Sequence, residues 1–283
     1  MTPTVQAFFD KATHTVTYLV SDPATKAAAI IDPVLDFDPK AARVSTTSAD
    51  TLLTALADQK LALAWILETH AHADHLSAAD YLRSKTGAKV VIGAHIRTVQ
   101  EAFGALFETQ ADGRVFDHLV EEGETLPLGA LEISVLHTPG HTPACVTYRV
   151  GDAAFVGDTL FMPDYGTARA DFPGGDAATL YQSIQRILGL PQDTRVFVGH
   201  DYLPDSRKTF EWETTVAEER ARNIHVHDGV AQSDFVAMRT ARDETLDAPT
   251  LILPSLQVNI QAGALPQPSA SGRVFLKLPV NAL

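Results

Sequence analysis

The stretch ETHAHADHLSA, Glu68 to Ala78, brings His70, His72, Asp74 and His75 within six positions. Imidazole nitrogens and carboxylate oxygens are the usual ligands of zinc and non-haem iron. With one residue between them, His70 and His72 can face a single point on an extended or turning backbone. Upstream, LALAWIL (Leu61–Leu67) is apolar over a length that suits a buried strand. Downstream, Leu76, Ala79 and Leu82 recur at helical spacing, and the run stops at Thr86-Gly87. The motif therefore occupies a strand-to-helix turn, anchored at both ends yet free of ladder geometry. Side chains can converge there.

Three later motifs share this design. His141 in TPGHT, Asp158 in VGDT and His200 in VGHD each sit beside a Gly or Asp at an expected strand end. Five of the 11 histidines fall in these four short motifs, which is too concentrated for isolated core histidines. The set reads as a metal site. Cys145 is the single cysteine, so no thiolate cluster competes for metal and no intrachain disulfide forms. That usage fits a reducing compartment.

The formal charge of −13 disfavours nucleic acid and anionic lipid as partners, because both need a basic face. A few placed arginines could still receive a small anion. The N-terminal MTPTVQAFFDKATHTV has no basic segment followed by a long apolar run, so no secretory signal is expected. LALAWIL, the longest strongly apolar run, is far below the ~20 residues that span a bilayer. A soluble, cytoplasmic protein is the expectation.

Along the chain, VQAFFD, HTVTYLVSD and KAAAIIDPV read as strands, followed by a helix from near Ser48. AKVVIGA reads as a strand and Arg97–Phe103 as a short helix. LEISVLHTPGHTPACVTYRVGDAAFVGDTLF reads as three strands, Asp176–Leu188 as a helix and RVFVGHDY as a strand. ETTVAEERARNI and Ser233–Arg242 read as helices, and the tail from Ala248 is rich in proline and apolar residues. The expected organisation is one α/β domain over residues 1–208, with a helical extension and tail, 209–283, packed on it.

HxHxDH at His70–His75, followed in order by TPGHT, GD and GH, resembles the metallo-β-lactamase superfamily over roughly residues 5–205. The resemblance implies an αββα sandwich, two packed mixed sheets flanked by helices, with metal at one edge. It also implies two ligand sets: His70, His72, His141 and Asp158 for one ion, and Asp74, His75, Asp158 and His200 for another. Two zinc or iron ions so held would suit a hydrolase of glutathione thioesters, like glyoxalase II.

The stretch GDTLFMPDYGTARADFPGGDAATLYQSI, with Arg169, Asp171 and Phe172 in an R-x-D-F element, resembles the persulfide dioxygenases of that superfamily instead. GHTPACVTY (Gly140–Tyr148) shares this likeness. For that group the resemblance implies a single Fe(II) on His70, His141 and Asp158. His72, Asp74, His75 and His200 would then orient those ligands and hold water nearby. The implied reaction oxidises glutathione persulfide with O2 and water to sulfite and glutathione. Arg169 is implied to neutralise the anionic substrate or to position Asp171, and Tyr202 matches a position that contacts glutathione. A rhodanese-type sulfur donor and a second copy of the chain are the protein partners this reading brings with it.

Several residues keep two readings at this level. Cys145 is either a small buried hydrophobe or a redox-sensitive thiol. Asp32 in IIDP either supports the metal loop or opens a turn before Pro33. Arg207, Lys208, Arg220 and Arg222 either receive the carboxylates of glutathione or pair with nearby acids. His225 and His227 read as exposed. A persulfide or metal sensor without turnover is the rival from another class, and the complete ligand set weighs against it.

Overall fold

The computed structural model describes residues 2–109 and 112–281. The first sheet is built from β1 (Thr4–Asp10), β2 (Thr15–Ser21) and β3 (Ala27–Ile31) near the N-terminus. A small sheet of β4 (Val34–Asp38) and β5 (Arg43–Ser45) follows, then helix α1 (Thr47–Gln59) and β6 (Ala62–Leu67). After the histidine motif come β7 (Leu76–Ser77), α2 (Ala79–Thr86), β8 (Lys89–Gly93), α3 (Ile96–Phe107) and β9 (His118–Val120). The second half contains β10 (Thr125–Leu128), β11 (Leu131–His137), β12 (Val146–Val150), β13 (Ala153–Phe155), α4 (Ala177–Leu188) and β14 (Arg195–Phe197). It closes with β15 (Glu213–Thr215), α5 (Val216–Arg222), α6 (Gln232–Asp243) and α7 (Ile252–Asn259).

Two six-stranded sheets result, in the orders β1-β2-β3-β6-β8-β9 and β10-β11-β12-β13-β14-β15. Both are mixed. β1, β2 and β3 pair antiparallel while β3, β6, β8 and β9 run parallel, and the second sheet has one parallel pair, β13 with β14.

The period of the strands explains the layering. Successive strand side chains point to opposite faces, so a strand buried on both faces is mostly apolar along its length. In β3, Ala28 and Ile30 face one cluster while Ala29 and Ile31 face another. The inner cluster, with Tyr18, Val91, Ile133, Tyr148 and Phe155, lies between the sheets. The outer face of the first sheet packs on Leu52, Leu56, Leu82, Val99 and Phe103 of α1, α2 and α3. The outer face of the second packs on Leu180, Ile184 and Ile187 of α4, with Val216 of α5 and Phe235 of α6. The layers are helix, sheet, sheet, helix, as the αββα expectation has them.

Residues 209–281 are divided between the two helical layers. β15 pairs with β14 at the edge of the second sheet. On the opposite side, Leu256, Val258 and Ile260 join the core beside α3.

Local readings needed correction where short elements depend on a distant partner. Leu76 and Ser77 pair with β4, so the helix starts at Ala79. Glu213–Thr215 is a strand rather than the start of a helix, and the Thr215 side chain caps α5 by accepting from Glu218 N at 3.2 Å. The proline-rich tail contains α7, with Pro254 inside it. Among the described residues no helix is long and apolar enough to cross a membrane.

Candidate metal centre

Each candidate ligand stands on a loop at the C-terminal edge of the central strands. The loop after β6 carries His70 to His75, the β11–β12 loop His141, the β13–α4 connection Asp158, and the segment after β14 His200. The sheets are tied together at this edge, where Val146 N donates to Thr69 O at 2.9 Å and Val16 N to Gly199 O at 2.9 Å. Gly157 (φ 52°) lies where a Cβ would stand 2.5 Å from Thr69 Oγ1, so only glycine permits that approach. Gly140 of TPGHT (φ 134°) lets the α4 backbone come equally close, with Leu180 N 2.3 Å from where its Cβ would be.

His70, His141 and Asp158 form one group. Asp158 Oδ2 lies 3.8 Å from both His70 Nε2 and His141 Nε2. Each imidazole is held through its other nitrogen. His70 Nδ1 donates to Thr69 Oγ1 at 3.0 Å, and that hydroxyl donates to Asp32 Oδ2 at 2.8 Å. His141 Nδ1 donates to the carbonyl of Arg169 at 2.8 Å. Such contacts set the tautomer that leaves Nε2 free to ligate.

Asp32 thus supports the metal loop. It takes a left-handed φ of 50° and accepts from Thr69 N at 2.7 Å. Burial raises its carboxyl to about 6, although the Thr69 bonds pull the other way. The His70 and His72 rings are pushed well below the usual histidine range by burial and by neighbouring imidazoles, so both are neutral and able to bind metal.

His72, Asp74, His75 and His200 form a second group. His200 Nε2 lies 3.2 Å from Asp74 Oδ2 and 3.3 Å from Asp158 Oδ1, so Asp158 faces both groups. His75 Nδ1 is 3.2 Å from Thr15 Oγ1. The His72 ring lies 4.0 Å from the His70 ring by centroids and presents Nε2 to Asp32 at 3.0 Å and to the buried Glu68 at 3.6 Å. Burial and the adjacent Asp32 raise the Glu68 carboxyl well above the usual range. Burial opposes charge on Asp74 too, but His200 and His75 outweigh it and hold that carboxyl low.

The donor set fits a metal. His72 Nδ1, Asp74 Oδ2, His75 Nε2, Asp158 Oδ1 and His200 Nε2 are buried with no hydrogen-bond partner among the described residues. Buried polar atoms left in this way are costly, and a cation is what satisfies several of them at once.

The cleft over the first group is walled by Phe161, Tyr165 and Tyr202, and closed by Arg169, Arg239, Arg242, Leu246 and Pro249. Tyr202 stacks on His200 with ring centroids 5.5 Å apart. Phe172 packs against His141 from the other side, at 6.0 Å.

Arg169 is at the cleft, but its donors are turned into the protein. Nε and Nη2 form a fork on Asp171 at 2.5 and 2.7 Å, and Nη1 donates to Asp247 O at 2.7 Å. It positions Asp171 and pins the segment after α6.

Of the two readings of the basic cluster, pairing with nearby acids holds for three of its members. Arg207 is bound by Asp164 and Asp201, Arg220 by Asp228 and Arg222 by Glu218. His225 is not exposed either. Its Nδ1 accepts from Thr167 N at 3.1 Å, and burial lowers the ring to about 4. The arginines that do reach the cleft, Arg239 and Arg242, come from α6. No motif marks them, since only packing of α6 on α4 brings them there.

Cys145 is 2% exposed, and burial pushes its thiol up to about 12. At pH 8 about one thiol in 10⁴ would be ionised, and the thiolate is the reactive form. Native protein is therefore expected to leave Cys145 unmodified by iodoacetamide at pH 8, while urea-unfolded protein reacts fully. Mass-spectrometric detection of rapid native labelling would contradict this.

A family model described as the metallo-beta-lactamase superfamily matches residues 11–200. The chain belongs to that superfamily and is an enzyme of it. A probable metallo-hydrolase of Burkholderia pseudomallei is 52% identical over 99% of this chain and 100% of its own length. A beta-lactamase hydrolase-like protein of Xylella fastidiosa is 51% identical, and the chain spans 66% of its length. Human mitochondrial persulfide dioxygenase ETHE1 is 32% identical over 75% of this chain and 74% of its own. The crystal structure of ETHE1 from Myxococcus xanthus superposes with a TM-score of 0.75 at 32% identity, covering 92% of this chain and 100% of that one.

Proposed function

We propose that this protein is a mononuclear Fe(II) persulfide dioxygenase. It converts glutathione persulfide, O2 and water to glutathione, sulfite and two protons. The observation that carries this reading is the separate grouping of His70, His141 and Asp158 beneath the cleft, with His72 grouped instead with Asp74, His75 and His200 and its Nε2 at Asp32 and Glu68. Two neutral imidazoles and one carboxylate with an open face are the ligand type of oxygen-activating non-haem iron. Likeness to ETHE1 of Myxococcus xanthus supports the same reading.

Bound there, Fe(II) supplies the one-electron redox chemistry that lets O2 react with a closed-shell persulfide. The chain's own residues prepare the place. Asp32 and Thr69 hold the His70 ring, the Arg169 carbonyl holds His141, and Phe161, Tyr165 and Tyr202 keep bulk water from the face where sulfur enters. His75 and His200 with Asp74 form a polar floor that can retain water for the hydration step. A rhodanese-type protein is the class of partner that would deliver the persulfide, and a cytoplasmic location would suit the lone, reduced Cys145.

A dinuclear zinc or iron thioester hydrolase is the second reading. It is favoured by the complete His72, Asp74, His75 and His200 group and by relatives named as hydrolases. Asp74→Ala separates the two. The dioxygenase reading expects one iron per chain in both wild type and variant, with oxygen uptake matched by sulfite and lowered in the variant. Two metals in the wild type, one in the variant and thioester cleavage without oxygen uptake would sink it.

A further inference from the structure

Three guanidinium groups line the cleft, and two are already committed to the protein. Arg169 is forked onto Asp171 and bound to the Asp247 carbonyl. Arg239 is 1% exposed, holds Asp243 Oδ1 from Nε at 2.9 Å and donates from Nη1 to Thr167 O at 3.2 Å. Asp243 in turn accepts from Ala170 N at 2.9 Å. These two arginines fasten α6 to the loop that carries Thr167 to Asp171.

Arg242 is different. It lies three residues beyond Arg239 in the last turn of α6, exposed at the cleft, with its side chain in no ion pair among the described residues. The neighbouring acid that could have paired with it, Asp243, is used by Arg239 and Ala170. Tyr165 feels the charge of Arg242, which opposes the rise that burial imposes on its phenol. Leu246 and Pro249 provide apolar surface on the same rim.

Of the three cleft arginines, Arg242 alone has no carboxylate partner among the described residues. This one faces the space where substrate must pass. Guanidinium is also the group best shaped for a carboxylate, through two parallel hydrogen bonds.

We propose that Arg242 is the substrate-recognising cation of the cleft, receiving a carboxylate of the thiol carrier while its sulfur end reaches the His70, His141 and Asp158 group. The inference rests on the persulfide reading and assigns to Arg242 the anion contact that the R-x-D-F resemblance attached to Arg169. The substrate class it selects is a small persulfide bearing a carboxylate, rather than an uncharged alkyl persulfide.

The test uses the iron-loaded full chain, wild type, Arg242→Ala and Arg242→Lys. With glutathione persulfide, Arg242→Ala is expected to raise KM about 10- to 100-fold, the range of one charge-assisted contact. The loss falls on KM rather than kcat, because the contact is made equally in ground and transition states. Arg242→Lys recovers part of it. The dimethyl ester of glutathione persulfide, lacking the carboxylates, is used by wild type and Arg242→Ala alike.

Calorimetry with S-methylglutathione reads the same contact without turnover, and Arg242→Ala is expected to weaken that binding by a similar factor. If no oxygen is consumed but this weakening is seen, the dioxygenase reading fails and the anion site stands. If glutathione persulfide is oxidised with an unchanged KM, or the ester is affected as much as the acid, the role of Arg242 is overturned while the dioxygenase stands. Absence of S-methylglutathione binding to wild type also overturns it.

Discussion

Asp158→Ala protein is expected to fold normally and to purify without metal. Asp158 is the carboxylate that, among the described residues, faces both groups, with Oδ2 toward His70 and His141 and Oδ1 toward His200. Removing it leaves the first group with two neutral imidazoles, which hold a divalent ion weakly. Loss of a mere supporting contact lowers metal affinity ~10–100-fold, so loss of this ligand should exceed ~10²-fold. The fold should survive, because burial already raises the Asp158 carboxyl and an uncharged methyl relieves that penalty. Elemental analysis beside circular dichroism checks both halves. A folded variant with a full complement of metal would remove Asp158 from the ligand set, whichever reaction is catalysed.

Asn259→Ala should be the most damaging substitution outside the ligands. This α7 side chain is buried at the metal loop, where Nδ2 donates to His72 O at 2.8 Å and to His75 O at 2.7 Å. Its Oδ1 accepts from Ser77 N at 2.8 Å. Alanine would leave three buried backbone groups without partners, at about 1–3 kcal/mol each before relaxation. A net loss of about 3 kcal/mol would lower Tm by roughly 5 °C at this chain length. Metal affinity should fall with it, since the loop that presents four of the candidate ligands loses its clamp. Asn259→Asp separates the contributions, as it keeps the acceptor for Ser77 N and loses both donors. Calorimetric Tm values within 1 °C of wild type for both variants would show that the tail does not hold the loop.

The role of Asn259 was not legible in QVN, because an asparagine in an apolar tail carries no local mark of its partner. It is 182 residues from Ser77. The same holds for Arg239 and Arg242, which a reading of α6 alone treats as a solvated helix face. β4, β7 and β15 failed for a related reason. Two to five residues have too little period to register as strands, and their pairing energy comes from a neighbour far along the chain.

By contrast, β3, β6 and β8 were legible as apolar runs, and β2 from its β-branched and aromatic residues. The ligand motifs were legible as well. A metal needs imidazole and carboxylate donors on short loops, and glycine where two backbones meet, as at Gly140 and Gly157. These are demands on residue type, so they are written in the chain.

What the sequence by itself determined, then, was the layered α/β class, the loop ends that hold metal and the candidate ligands. The tertiary structure alone decided how those ligands divide, with His72 toward Asp32 and Glu68 and with His70, His141 and Asp158 under the cleft. It also decided which of the three cleft arginines has no acid partner among the described residues. Grouping and freedom depend on distances and partners between segments remote in sequence, and residue type and spacing do not encode them.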